Sequence, residues 1–308
     1  MRFHMGLVFM EAEHVVDLCK AADQLGYYGV LIPDHIFYPQ ELKSTYLYSS
    51  KGDGKPGWGP DTNWPDPWCV VSACSTVTSR IHFTTGVYVA PARDLFTVAK
   101  LVSTAAFLSN DRVHLGIAAG WCEEEFIATG QDFATRGKRL AEMVPALRNL
   151  FAGGWAEFHG RYYDFDPVTI NPVPRQPVPI YLGGDTDVAM KRAVTIGDGW
   201  VGAGPYSVDQ ARTHLGRIRA HLDEARRSGT AGGAAADPGA EFPIYLGIST
   251  RPDIDVFRQF ADEGVTDFIC APWLSARVGD PSDLDGLLKA RIAQCERFAN
   301  DILDKVRD

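Results

Sequence analysis

Apolar residues along this chain fall into short continuous runs separated by longer stretches with helical spacing. Phe3 to Phe9 reads as a strand, and Ala12 to Leu25 as an amphipathic helix closed by Gly26. Gly29 to Ile32 is a second strand, stopped by Pro33. The alternation continues with a helix from Pro67 to Thr78, a strand from Ile81 to Val89, a helix from Leu95 to Leu108 and a strand from Val113 to Ile117. Glu123 to Thr129 and Arg136 to Phe151 read as helices, and Glu157 to Phe165 as a short hairpin around His159-Gly160. Pro179 to Leu182 is a fifth run, with a helix from Val188 to Ile196. Trp200 to Gly202, Phe242 to Leu246 and Phe268 to Ala271 complete the strands. Their helices run from Val208 to Arg227, Ile254 to Glu263 and Asp283 to Leu303.

Strands buried on both faces read as unbroken apolar runs, and eight of them each followed by a helix predict a (β/α)8 TIM barrel, with insertions after strands 2 and 4. The whole chain, 1–308, is expected to form one domain. An open doubly wound sheet is the competing architecture. Its main support is missing, because the first strand-to-helix turn, Val8 to Ala12, has no GxGxxG. In a barrel, functional residues gather at the C-terminal ends of the strands. The stretch from Pro33 to Pro65 is rich in Gly, Pro, Tyr and Trp and predicts a packed lid or pocket wall. Ser228 to Gly239, rich in Ala and Gly, reads as a flexible surface loop.

Composition narrows the partners. A formal charge of −9 argues against nucleic acid or an anionic membrane. Six scattered cysteines without CxxC or CxH spacing, and no basic-plus-apolar segment ahead of the first strand, suit a reducing cytoplasm. No apolar run reaches the ~18 residues that a membrane helix needs.

The strand ends carry the candidate chemistry. Strand two ends in Asp34-His35, strand three in Gly86-Val87, strand four in Ala119-Gly120-Trp121, strand five in Gly183-Gly184-Asp185-Thr186 and strand six in Gly202-Ala203-Gly204. A histidine at such a position can exchange a proton near neutral pH, with Asp34 orienting it or contacting a ring; the alternative is a loop cap beside a wall residue. Gly183-Gly184 leads into a helix whose free N–H groups suit an anion, with the Thr186 hydroxyl adding to them. The Asp185 carboxylate would oppose an anion unless it points to solvent or caps the helix. Glu123, Glu124 and Glu125 start a helix, so at least two of them are expected on a solvated face. Trp121 and the loop aromatics Tyr46, Tyr48, Trp58, Trp64 and Trp68 could wall an apolar pocket. His4, His82, His114 and His159 show no metal spacing, and no metal is expected.

Taken in order, Pro33-Asp34-His35, Thr85-Gly86-Val87, Gly120-Trp121 through Glu124-Glu125-Phe126 with Gly130, Phe133-x-x-Arg136-Gly137, Tyr162-Tyr163-x-Phe165, Pro172-x-Pro174, Gly183-Gly184 and Gly197-Asp198-Gly199-Trp200 span nearly the whole chain. They resemble the luciferase-like superfamily, and within it the branch dependent on the deazaflavin coenzyme F420. The resemblance implies an oxidoreductase acting on a small-molecule substrate. His35 and Asp34 would serve catalysis, and Gly86 and Val87 would back the cofactor ring through a cis peptide. Ala119, Gly120 and Glu124 would lie near that ring, and Gly183, Gly184 and Thr186 would hold its phosphate. Trp121, Tyr38 and Trp64 would line the substrate pocket. Trp121 stands where sugar-phosphate dehydrogenases of that branch carry an acidic residue, which argues against a sugar phosphate. FMN, reduced by a separate reductase and used for oxygenation, is the alternative cofactor, though the Thr-Gly-Val and Gly-Trp-x-x-Glu-Glu patterns lean toward F420. A non-catalytic flavin-binding barrel is the reading from another class, and the intact Asp34-His35 pair counts against it. A homodimer is also allowed for.

Overall fold

The computed structural model describes residues 1–49, 51–275, 280 and 282–307. Eight parallel strands close into a barrel: β1 (Arg2–Gly6), β2 (Gly29–Ile32), β3 (His82–Thr85) and β4 (Val113–Ile117), then β7 (Ile180–Gly183), β8 (Gly199–Val201), β9 (Ile244–Gly247) and β10 (Asp267–Cys270). β10 returns to β1 in parallel register, Phe3 opposite Phe268, so the sheet has no open edge. β5 (Ala156–His159) and β6 (Asp164–Val168) form an antiparallel hairpin outside the barrel, in the stretch between β4 and β7. This is the predicted architecture, with insertions after the second and fourth barrel strands.

Helices α1 (Val15–Leu25), α2 (Pro67–Ser75), α3 (Leu95–Leu108), α4 (Glu123–Ala128), α5 (Arg136–Phe151), α6 (Asp187–Ile196), α7 (Val208–Ser228), α8 (Ile254–Asp262) and α9 (Leu284–Phe298) surround the sheet. Their ends are set by local chemistry. Asp66 accepts from the N–H groups of Trp68 and Cys69 ahead of α2, with Pro67 at the first helical position. Ser207 and Gln210 form a reciprocal capping box for α7. α1 ends because Gly26 takes a left-handed φ of 82°.

Several boundaries differ from expectation. β1 stops at Gly6 rather than Phe9, and β3 stops at Thr85 rather than Val89, where the Gly86-Val87 peptide is cis. The predicted closing helix gives way to a π-helical turn over Ala299–Leu303.

The lower barrel is filled by polar rings. Tyr28 stacks on His82 at 4.5 Å and His82 on His114 at 4.7 Å, while His4 Nε2 meets Asp267 Oδ1 at 2.7 Å. Arg2 holds both carboxylate oxygens of Asp267 at 2.8 and 2.7 Å, which keeps that buried acid well below the usual carboxylate range. Leu31, Tyr181, Val201 and Tyr245 form a further cluster, with Val87 and Ile269 packed against it. His4, His82 and His114 are therefore part of the barrel filling, far down from the strand C-termini, whereas His159 is exposed on the hairpin outside the barrel and pairs with Asp164.

Candidate active site

At the end of β2 the chain turns outward and places His35 at the mouth, with 13% of its side chain exposed. Its Nδ1 lies 3.2 Å from Oε1 of Glu125, and the same oxygen accepts the Ile36 N–H at 2.7 Å. Glu125 is 1% exposed on α4. A carboxylate can only accept, so Nδ1 carries the proton and Nε2 is left to exchange one.

Asp34 does not orient His35. Its carboxylate, 2% exposed, pairs with both terminal nitrogens of Arg93 at 2.8 Å and accepts the Val89 N–H at 2.9 Å. Burial raises its pKa and the Arg93 charge opposes the rise. The expected orienting role belongs to Glu125, because Asp34 faces the segment after β3 and binds it to β2. Sequence reasoning had assigned at least two of the three glutamates to solvent. Glu123 is exposed, but Glu125 is buried against His35, and Glu124 braces the long loop. Glu124 accepts from Lys43 N at 2.6 Å, Ser44 N at 3.1 Å and Ser44 Oγ at 2.6 Å. Burial would raise the pKa of Glu124, but these donors outweigh it and bring it down to about 2. With its carboxylate so committed, Glu124 is a loop brace rather than a free ring contact.

The floor of the mouth carries glycines beside which neighbours leave little room for a side chain. A Cβ on Gly86 would lie 2.2 Å from Leu31 Cγ, and one on Gly183 would lie 2.7 Å from Val87 Cγ1. Gly184 has φ +115°, and its carbonyl accepts the Trp200 indole N–H at 2.8 Å. Gly120, at φ +85°, passes close to Val89 and Phe126, and Arg136 Nε donates to its carbonyl at 3.1 Å. Ala119, just before it, is half-buried. Thr186 caps α6 by accepting the Ala189 N–H at 3.2 Å. Asp185 neither faces solvent nor caps α6. It accepts from Ala203 N at 3.1 Å and Tyr206 OH at 2.7 Å, so its charge is spent on the loop after β8.

The long loop folds over this floor. Tyr48 bonds the Asp185 backbone, and its hydroxyl lies 3.6 Å from where a Gly184 Cβ would stand. Burial pushes its pKa up to about 12. Trp58, Trp64 and Trp121 surround His35 at ring separations of 5.2, 5.4 and 5.8 Å, and Tyr46 sits against Trp58 and Trp121 at 5.0 and 4.9 Å. Tyr38 is half-buried on the same loop but stands outside this ring cluster, and Trp68 packs instead on Tyr88. A cavity of about 10 Å³, room for about one water, lies between the loop and the ends of β1 and β2. A cavity of about 690 Å³ opens at the opposite end of the barrel, beside Pro179, Asp198 and Pro243, and none of the strand-end residues lines it.

The structure sets the candidate His35 among three of the candidate aromatics, and adds two partners that the sequence reading did not name, Glu125 for His35 and Arg93 for Asp34. The spacing Cys122, Glu125, Phe126 held the signal for Glu125, since i, i+3 and i+4 share the inward face of α4.

A closed (β/α)8 barrel with a buried carboxylate on a strand-end histidine is an enzyme architecture. Residues 3–269 match the family model of luciferase-like monooxygenases, and the chain belongs to that family. Membership makes it an oxidoreductase. An uncharacterized Mycobacterium tuberculosis protein is 31% identical over 99% of this chain and 100% of its own length. The F420-dependent glucose-6-phosphate dehydrogenase of Amycolatopsis mediterranei is 28% identical over 61% of this chain and 52% of that protein. The coenzyme F420-dependent tetrahydromethanopterin reductase of Methanopyrus kandleri superposes with a TM-score of 0.68 over 99% of this chain and 98% of that one. At 14% identity that likeness is one of fold. Among the described residues no helix is long and apolar enough to cross a membrane.

Proposed function

We propose that the protein catalyses hydride transfer between coenzyme F420 and a small organic substrate, with His35 moving the accompanying proton. The His35–Glu125 contact carries this reading, because it fixes the tautomer that leaves Nε2 free to give or take a proton at the mouth. The residues present fit a tricyclic cofactor with a phosphate. Gly86 and Gly183 leave a floor on which Val87 is the side chain that stands against a ring, and the glycine-lined approach to α6 offers backbone N–H groups to an anion, with Tyr48 lying over the same peptide. When bound, the deazaflavin would supply or accept the hydride. Glu125 holds the imidazole in register, Asp34 and Arg93 fix the segment that bears Val87 and Val89, and the tryptophans wall the imidazole on its sides.

The test is His35→Ala, measured separately for cofactor binding and for turnover in a deazaflavin-coupled screen. Turnover should fall ~10²–10⁴-fold while F420 affinity stays nearly intact. Normal turnover would make His35 a bystander, and loss of F420 binding would make it structural.

A further inference from the structure

Of the three tryptophans around His35, Trp58 meets the other two edge to face, lying 5.4 Å from Trp64 at 76° and 6.3 Å from Trp121 at 77°. Phe9 closes the cluster from the end of β1, 5.8 Å from Trp64, and does so with φ at 52°, a region that bulky residues rarely adopt. One polar atom of this wall is unspent. Trp64 Nε1 is buried and has no hydrogen-bond partner among the described residues, and a buried donor without an acceptor is costly.

The charges nearby are already committed. Arg93 is paired with Asp34, Glu124 with the loop backbone and Glu125 with His35. The loop lysines Lys43, Lys51 and Lys55 are exposed. Among the described residues the ring cluster therefore holds no fixed cation to neutralise a phosphate or a carboxylate, its one basic group being His35, already paired with Glu125. The wall presents ring edges and faces, so a flat apolar guest entering between them keeps aromatic contact.

We infer that the mouth takes a neutral, planar, largely apolar carbonyl compound of the enone or quinone class. Its ring seats between Trp58 and Trp121, and its oxygen accepts the Trp64 N–H. The inference rests on the reading of this mouth as the active site.

The purified full-length chain, with and without F420, is titrated calorimetrically with menadione and with glucose 6-phosphate. Menadione should bind saturably at one site and glucose 6-phosphate should give no saturable heat. Trp58→Ala and Trp121→Ala should each weaken menadione binding ~10-fold or more. Trp64→Phe keeps a ring and removes the N–H, and should weaken it ~3- to 10-fold. Circular dichroism and retained F420 binding establish that each variant is folded. Absence of saturable menadione binding to the unaltered chain, preference for the sugar phosphate, or affinity indifferent to the three substitutions overturns the inference. Loss with Trp58→Ala and Trp121→Ala but none with Trp64→Phe overturns the assigned hydrogen bond. A chain that binds menadione but not F420 sinks the cofactor reading alone, whereas one that binds F420 but not menadione sinks the substrate class alone.

Discussion

Replacing Glu125 with alanine removes the acceptor shared by the Ile36 N–H, at 2.7 Å, and His35 Nδ1, at 3.2 Å. Hydrogen bonds to a charged group contribute about 1.5–3 kcal/mol each, and the shorter contact should stand at the upper end. Part of that loss is offset, because the buried carboxylate no longer has to be kept from water and Ile36 can reach solvent. The expected destabilisation is therefore about 1–3 kcal/mol, read as a lower midpoint in urea at neutral pH with an unchanged slope. Glu125→Gln keeps an acceptor for Ile36 and should lose roughly half as much. Catalysis should respond differently. With His35 no longer held, single-turnover hydride transfer should drop ~10- to 100-fold in the alanine variant, with F420 affinity within about twofold of the unaltered protein. A variant that loses stability but turns over normally would make Glu125 a brace for the Ile36 backbone only. One that loses neither would refute the assignment.

Gly184→Asp adds bulk at φ +115° and a negative charge beside the α6 N-terminus, and should weaken F420 binding ~10-fold or more; equal affinity in a direct titration would remove the phosphate from this position. The barrel floor sets a pH dependence. Burial, with His82 and His4 nearby, lowers the His114 pKa from 6.5 to about 3, and burial lowers that of His82. A folded-state pKa below the unfolded one means that the unfolded chain binds protons first. The contribution is complete above pH 6.5 and is lost as the pH falls toward about 3, with a slope near 1.4 kcal/mol per pH unit for each such histidine. Urea unfolding followed from neutral to mildly acidic pH should show that slope, and His114→Phe should flatten it; an unchanged slope in the variant would move the effect to other groups.

The barrel was legible because each parallel strand buries both faces and so appears as an apolar run, as in Val30 to Ile32 and Val113 to Ile117. The strand-end glycines were legible because their positions need close approach, as Gly183 does toward Val87. The partners were not. Arg93 meets Asp34 across 59 residues and Glu125 meets His35 across 90, and no local pattern encodes a contact made by neighbouring barrel units. Glu125 was further hidden inside a run of three glutamates, where a charge beside the helix dipole is the ordinary reason for an acid. The aromatic content of the long loop pointed to a packed segment, but its seat on Gly184 through Tyr48 depends on how the chain crosses the mouth.

The central claim is that the glycine floor and the His35–Glu125 pair serve a deazaflavin. Calorimetric titration of the apoprotein with F420 and, separately, with FMN tests it most directly. The account predicts saturable one-site binding of F420, tighter than that of FMN and weakened by Gly184→Asp. Binding of FMN in preference to F420, or of neither, would contradict it.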